Sequence, residues 1–169
     1  MATKRKLTKS VLGEQFDLQV RRMGATNATF VHAVAARLGL NPTDYECLDV
    51  LDWTGPITAG QLANQLGLTT GAVSGMLDRL EHSGWVERSQ DPNDKRKVIV
   101  TLLRTRYPEV APLYEGTTLA IEGIVAGLSV EQLQLLVGAL ETMNDAYLTE
   151  SVRIRAEHRS ALPLNRRGS

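Results

Sequence analysis

The chain has 169 residues, 43% of them hydrophobic, and its 19 basic and 19 acidic side chains give a formal net charge of zero. This length suits one globular domain, or one small domain with an added assembly surface. No stretch approaches the roughly 18 consecutive apolar residues of a membrane helix, and the basic start, 1–6, precedes no signal-type apolar core. We therefore expect a cytoplasmic protein. The single cysteine excludes an internal disulfide framework, which agrees with a reducing compartment.

The charges are distributed unevenly, although a net charge of zero by itself argues against a nucleic-acid-binding protein. Residues 54–106 contain more basic than acidic side chains, whereas residues 107–150 contain acidic side chains and no lysine or arginine. An acidic assembly region can therefore offset a basic binding surface without cancelling its local field.

Two helices are predicted at the start of the chain. Apolar residues repeat at intervals of three and four over 12–38, which predicts a long amphipathic helix that Gly39 ends. Asn41 can cap a second helix with Pro42 in its first position, where the missing amide costs nothing. This second helix should end near Trp53.

A helix-turn-helix is predicted next. Thr58 and Gln61 have the spacing of a capping box, and Gly67 supplies the left-handed position that a helix end favours. Thr69 can cap a further helix, which Gly84 ends. The apolar side chains that repeat along the buried side of that helix are Val73, Leu77 and Leu80.

The outward face of this further helix carries only small side chains in its first two turns: Thr70, Gly71, Ser74 and Gly75. Each helical glycine costs roughly 1 kcal/mol relative to alanine, so the pair requires a reason other than helix stability. Close approach to a flat polymer is one such reason. The alternative is that the glycines have no function.

A hairpin with a charged tip is predicted after the helix-turn-helix. Residues 86–88 and 97–102 alternate as strands do, and turn-forming residues separate them. The charged tip could be a solvated loop. It could instead be a wing, with Arg96 entering a DNA minor groove while Asp94 orients the guanidinium. Ile57 is predicted to form a short strand that pairs with this wing.

Two amphipathic helices are predicted beyond the hairpin. Pro108 and Pro112 should delay the first, which runs to Gly127, and Ser129 should cap the last, which extends to about Ala156.

The chain is therefore divided into an N-terminal dimerisation helix (1–40), a winged helix-turn-helix (41–104), C-terminal dimerisation helices (105–158) and a loose tail (159–169). The apolar faces of the terminal helices favour a symmetric homodimer. The alternative is that they complete the core of a monomer.

No catalytic, metal or cofactor site is predicted, and we expect the protein not to be an enzyme. His32, His82 and His158 are dispersed, without neighbours at metal-ligand spacing. The run 71–75 lacks the order and the preceding strand of a nucleophile elbow. Residues 91–96 lack the glycine of a calcium loop.

Cys47 has two interpretations. Beside Leu48 and Val50 it suits core packing, because free cysteine is among the most buried residue types. Redox sensing would instead require an exposed thiolate, whereas Glu46 and Asp49 are acidic neighbours that raise a thiol pKa.

The helix-turn-helix and the hairpin together resemble the MarR family of winged-helix transcription regulators. The resemblance lies in LTTGAVSGMLDRLEHSGWVER and DPNDKRKVIVTL, and Asp94 and Arg96 occupy the family's wing positions. It extends more weakly from Leu12 to Leu148. Members often carry a long polar or basic side chain at the position of Gly75, so we expect fewer direct contacts with DNA bases here.

The resemblance implies a mainly α fold with a small β-hairpin wing and an α-helical dimerisation region. The paired helix-turn-helix and wing predict a homodimer that represses or otherwise regulates transcription by binding a pseudo-palindromic operator on double-stranded DNA. The residues predicted to bind DNA are Thr69, Thr70, Gly71, Ser74, Gly75, Arg79, Arg88, Asp94, Lys95, Arg96 and Lys97.

A small aromatic or phenolic ligand is a further implication of the resemblance. Its predicted contacts are Met23, Phe30, Tyr45 and Trp53, and the alternative for these side chains is plain core packing. Two other functions stay open from the residues alone: a winged-helix module that binds protein and not DNA, and a regulator that senses oxidants through Cys47.

Overall fold

The computed structural model describes residues 8–161, and within them the fold is mainly helical with one small sheet, as predicted. The helices are α1 (Lys9–Arg37), α2 (Pro42–Thr54), α3 (Ala59–Leu66), α4 (Thr70–His82), α5 (Tyr107–Ala126) and α6 (Val130–Ala161). The strands are β1 (Ile57–Thr58), β2 (Val86–Gln90) and β3 (Val98–Leu102), and a 3-10 turn covers Arg104–Arg106.

The three strands form an antiparallel sheet in the order β1-β3-β2. The fully buried Val100 lies opposite both Ile57 and Arg88, so β3 joins the hairpin to the start of the helix-turn-helix. The predicted pairing of Ile57 with the wing is confirmed.

The predicted helix caps in the helix-turn-helix are confirmed. Thr58 and Gln61 form a complete capping box at the start of α3, and the Thr69 hydroxyl accepts a hydrogen bond from Ala72 at the start of α4. Gly67 ends α3 in the left-handed conformation, with φ of 67°. These caps pair amides and carbonyls that a short helix would otherwise leave unpaired.

The division between two compact units falls between Glu46 and Cys47. In the first unit, Thr8 caps α1, and Val34 and Ala35 are buried near its end. Many other apolar side chains of α1 are exposed, including Leu12, Phe16, Leu18 and Met23. In the second unit, α3, α4 and the sheet contribute buried side chains to the core. Its most deeply buried side chains include Leu62, Val73, Met76, Leu77, Leu80, Trp85, Val86 and Val100.

Two predictions about the C-terminal helices are wrong. Helix α5 begins at Tyr107, so Pro108 and Pro112 do not delay it. Pro108 lies in the first turn, where amides have no helical partner, and Pro112 costs one bond close to that end. Helix α6 is longer than predicted and ends at Ala161. The remainder of the predicted loose tail, 162–169, lies outside the described residues.

None of the helices between residues 8 and 161 is long and apolar enough to cross a membrane. The same residues contain no cluster of three or more histidine, cysteine, aspartate or glutamate side chains that could hold a metal ion.

Gly84 determines how the chain leaves α4. Its φ is 74°, and the amide of the following Trp85 donates to the Leu80 carbonyl at 2.9 Å. Since a Cβ at Gly84 would meet no atom within 4 Å, only the backbone conformation requires glycine here.

We therefore expect Gly84→Ala to lower the free energy of unfolding by about 1–2 kcal/mol, because alanine is strained in the left-handed region. Gly84→Asn is the matched control and should cost less, since asparagine adopts this conformation more readily. Urea unfolding at one fixed protein concentration measures both variants. Equal losses would contradict the assignment of the cost to backbone strain.

Candidate nucleic-acid interface

The first two turns of α4 present a flat surface. Thr70, Gly71 and Ser74 are exposed and Gly75 is partly exposed, while the opposite side of the helix is buried. A Cβ at Gly71 would meet nothing within 4 Å, and one at Gly75 would make only an ordinary contact with Arg79 Nη1 at 3.9 Å. Packing among the described residues therefore does not require either glycine.

Arg79 lies on the same face, one turn further along α4. Its Nη1 donates to the Gly75 carbonyl at 3.1 Å, so the guanidinium lies across the surface that the missing side chain of Gly75 leaves open. A positive charge is thus held close to the helix backbone beside the flat surface.

The tip of the hairpin is an ordered turn. Asp91 Oδ1 accepts hydrogen bonds from the amides of Asn93 at 2.7 Å and Asp94 at 3.3 Å. Asp94 in turn accepts from Arg96 Nε at 3.1 Å and Nη2 at 3.3 Å, and Lys97 Nζ lies 3.8 Å from it. The Arg96 guanidinium, through these hydrogen bonds, holds the pKa of Asp94 below its ordinary value.

Arg96 is nevertheless open to solvent, because its side chain is 91% exposed. The tip therefore offers an oriented guanidinium on the outside of the hairpin. The neighbouring Lys95 is also exposed.

Arg88 lies between α4 and β2. Its Nη1 is 2.7 Å from Asp78, its Nε donates to Glu81 at 2.9 Å, and its backbone amide donates to the same carboxylate at 3.1 Å. The side chain is only 28% exposed. Hydrogen bonding by Arg88 lowers the pKa of Glu81, so the pair stays charged and holds the hairpin against α4.

Comparison with known proteins identifies the family. The MarR family model matches residues 40–98. An uncharacterized HTH-type transcriptional regulator of Bacillus subtilis, YcgE, is 33% identical over 135 residues, which cover 80% of this chain and 88% of that protein. The chain belongs to the MarR family of winged-helix transcription regulators.

Other relatives agree with this MarR-family assignment. The multiple antibiotic resistance protein MarR of Salmonella typhimurium is 42% identical over 65 residues, 38% of this chain and 45% of that protein. The solved structure of the regulator Tm0710 from Thermotoga maritima superposes with a TM-score of 0.57 at 23% identity, covering 79% of this chain and 94% of that one. Apo MarR from E. coli gives 0.52 at 23% identity, covering 83% and 98%. These structures show the shared fold.

A groove of about 370 Å³ separates α4 from the wing in this MarR-family chain. It is lined by Ala59, Thr70, Val73, Ser74, Leu77, Arg88, Ser89, Gln90 and Val98. None of the four side chains predicted to contact a ligand lines this groove. Met23 and Trp53 are exposed, Trp53 by 74%, while Phe30 is partly exposed and Tyr45 is buried.

Cys47 is fully buried in α2. Because an oxidant sensor needs an accessible thiolate, this burial favours the packing interpretation over redox sensing.

Several structural residues were not predicted from the sequence. Met76 and Trp85 are both buried, and Arg106 lies over the Trp85 ring with 4.1 Å between its Cζ and the ring centroid. The only sequence signal for Arg106 is Glu109 three residues later, which is a common spacing for a helical ion pair.

Gly75→Ala should raise the free energy of unfolding by about 1 kcal/mol, since alanine favours helix and its Cβ fits without displacing a neighbour. Ala72→Gly, on the same exposed stretch of α4, is the reciprocal control and should lower it by a similar amount. Thermal and urea unfolding measure both. A destabilised Gly75→Ala protein would show that the fold itself needs this glycine.

Proposed function

We propose that the protein acts as a homodimeric transcriptional repressor in the cytoplasm, binding a pseudo-palindromic operator on double-stranded DNA. The observation that carries the proposal is the combination of a flat, small-residue surface on α4 with an oriented, exposed guanidinium at the hairpin tip. Either feature alone also occurs in proteins that do not bind DNA, but a recognition helix followed by a wing needs both.

The flat surface suits the major groove. Amides at the start of α4 can meet phosphates, because they carry the positive end of the helix dipole. The hydroxyls of Thr70 and Ser74 and the guanidinium of Arg79 can reach base edges, and Thr69 belongs to the same helix start. The two glycines, Gly71 and Gly75, allow the backbone to come close.

The hairpin suits the adjacent backbone and minor groove. Arg96, oriented by Asp94, enters the minor groove, while Lys95 and Lys97 neutralise phosphates. Arg88 is left out of the phosphate contacts, although it was predicted among them, because Asp78 and Glu81 already match its charge.

Exposed apolar side chains on the terminal helices support a homodimer. On α5 and α6 they include Leu119, Ile121, Ile124, Val125, Leu135, Leu136, Leu140, Tyr147, Leu148, Val152 and Ile154. Large exposed apolar surfaces often mark protein interfaces, and in a symmetric dimer a second copy would cover the same residues on both chains. Two recognition helices would then enter successive major grooves about 34 Å apart.

Ligand response remains a prediction. A small aromatic or phenolic ligand would relieve repression if it bound better to a dimer with the wrong spacing between recognition helices. By reciprocity, such a ligand must bind more weakly when operator DNA is present. A ligand that binds equally well with and without DNA would not be an effector.

The alternative function is a winged-helix module that binds protein and not DNA. Salt-dependent binding to duplex DNA distinguishes the two functions. We expect binding of the wild-type protein to duplex DNA to weaken steeply as salt rises, because each neutralised phosphate releases counterions. Arg96→Ala should lower the slope of log affinity against log salt by about one, the share of one phosphate or groove contact. Titration of labelled duplexes by fluorescence anisotropy at several salt concentrations measures this.

Arg21→Ala is the matched control, since it removes one exposed arginine, paired with Asp17, from α1. Its slope should equal that of the wild type. Absent or salt-independent binding by the wild-type protein would overturn the proposed function, and an unchanged slope for Arg96→Ala would overturn only the wing assignment.

Gly75→Arg tests whether close approach matters. A long side chain on the flat surface should weaken cognate operator binding by about tenfold or more, since one blocked contact of this kind is worth roughly 1–3 kcal/mol. His82→Arg adds the same charge at the far end of α4 and should leave the preference for cognate over random DNA unchanged. Affinity of Gly75→Arg equal to that of the wild type would show that Gly75 is only a vacancy.

A further inference from the structure

Arg106 joins the end of the recognition helix to the start of α5. Its Nη1 donates to the carbonyl of Ser83, the residue that caps α4, at 3.2 Å. Its guanidinium lies over the ring of the buried Trp85, 4.1 Å from the centroid. Its Nε and Nη2 donate to the two carboxylate oxygens of Glu109 at 2.7 and 2.6 Å. We call this set of four residues the Arg106 junction.

The charges of the junction match the two helices that it connects. The Arg106 guanidinium reaches the carbonyl end of α4, where the helix dipole is negative. Glu109 lies in the first turn of α5, where the dipole is positive, and its carboxylate offsets the charge of Arg106, the residue that precedes that helix. The hydrogen bonds from Arg106 lower the pKa of Glu109, which keeps the carboxylate charged well below neutral pH.

The end of α4 and the burial of Trp85 do not depend on Arg106. The hydroxyl of Ser83 donates to the Arg79 carbonyl at 2.7 Å, and the Trp85 amide already pairs with Leu80. The Trp85 ring is buried in the core, and Arg106 contacts it through the ring face. The ring Nε1 has no acceptor among the described residues. The distinct contribution of Arg106 is the link itself.

The turn that carries Arg106 is fixed to the winged helix at two further points. The amide of Leu103 donates to the Trp85 carbonyl at 2.8 Å, and Arg104 pairs with Asp52 of α2 at 2.7 Å. Of Leu103, Arg104 and Arg106, only Arg106 has a side-chain hydrogen bond to α5 within the described part of the chain, through Glu109. Pro108 also restricts the backbone at the start of α5.

We infer that Arg106 is a positioning residue that fixes the direction of α5 relative to α4 and thereby sets the half-site spacing that the dimer accepts. The inference rests on the proposed function, in which α5 belongs to the dimerisation region. A rigid junction makes one spacing favourable, whereas a loosened junction lets each winged helix turn on its dimerisation helices and accept several spacings.

The test compares spacing preference with half-site affinity. A cognate half-site is first selected from random duplexes with the wild-type protein. Affinities are then measured for a single half-site and for paired half-sites whose separation is changed by one and two base pairs. The proteins are wild type, Arg106→Gln, Glu109→Gln and Arg153→Gln. Arg153 is the matched control, because its ion pairs with Glu150 and Glu157 lie within α6.

Wild type and Arg153→Gln should prefer one spacing. Arg106→Gln should reduce that preference about fivefold or more, in the range of ordinary coupling energies, with single half-site affinity within twofold of wild type. Glu109→Gln should act in the same direction and more weakly. Glu109→Gln removes only an exposed carboxylate charge, so we expect this variant to fold. It therefore tests the inference if circular dichroism shows that Arg106→Gln is unfolded.

Three results would overturn the inference. The first is an unchanged spacing preference in Arg106→Gln, or in Glu109→Gln if the former is unfolded. The second is an equal loss of affinity for half-site and paired DNA, which indicates simple damage to the winged helix. The third is the absence of any duplex binding by the wild-type protein, and this result alone also removes the proposed function.

Discussion

The burial of one side of α4 is the constraint on which the rest of the winged helix depends. Val73, Met76, Leu77 and Leu80 are almost completely removed from solvent, and burying such side chains contributes roughly 1.5–3 kcal/mol each. With that side held against the core, the rotation of α4 about its own axis is determined. The small residues and Arg79 must then face outward together, and Arg88 holds the hairpin in a defined position beside them.

Local patterns predicted the helix-turn-helix well, because each signal depends on neighbours a few residues away. Thr58 with Gln61, Thr69 and Gly67 form the caps that their spacing suggests. Asp94 likewise orients Arg96 two residues along the chain. The helix that includes Pro112 was predicted to start too late, since a proline near a helix start costs less than one in its middle.

Contacts between distant residues were beyond reach of these patterns. Nothing near Arg106 in the sequence indicates that it meets Trp85 and Ser83, and nothing near Arg88 indicates its ion pairs with Asp78 and Glu81. Counting charged residues in a sequence does not show which of them form ion pairs. The local excess of basic groups in 54–106 therefore overstates the positive charge available to a ligand, and the exposed Arg96 and Lys95 represent it better.

The two tryptophans occupy opposite environments, since Trp85 is 2% exposed beneath a guanidinium and Trp53 is 74% exposed at the end of α2. Their fluorescence should therefore differ in emission wavelength and in accessibility to aqueous quenchers. Trp53 fluorescence would respond to anything that covers the end of α2, whether a ligand or a second copy. Trp85 fluorescence would respond to changes in the turn that precedes α5. The unlabelled protein thus carries two independent optical probes of its own rearrangements.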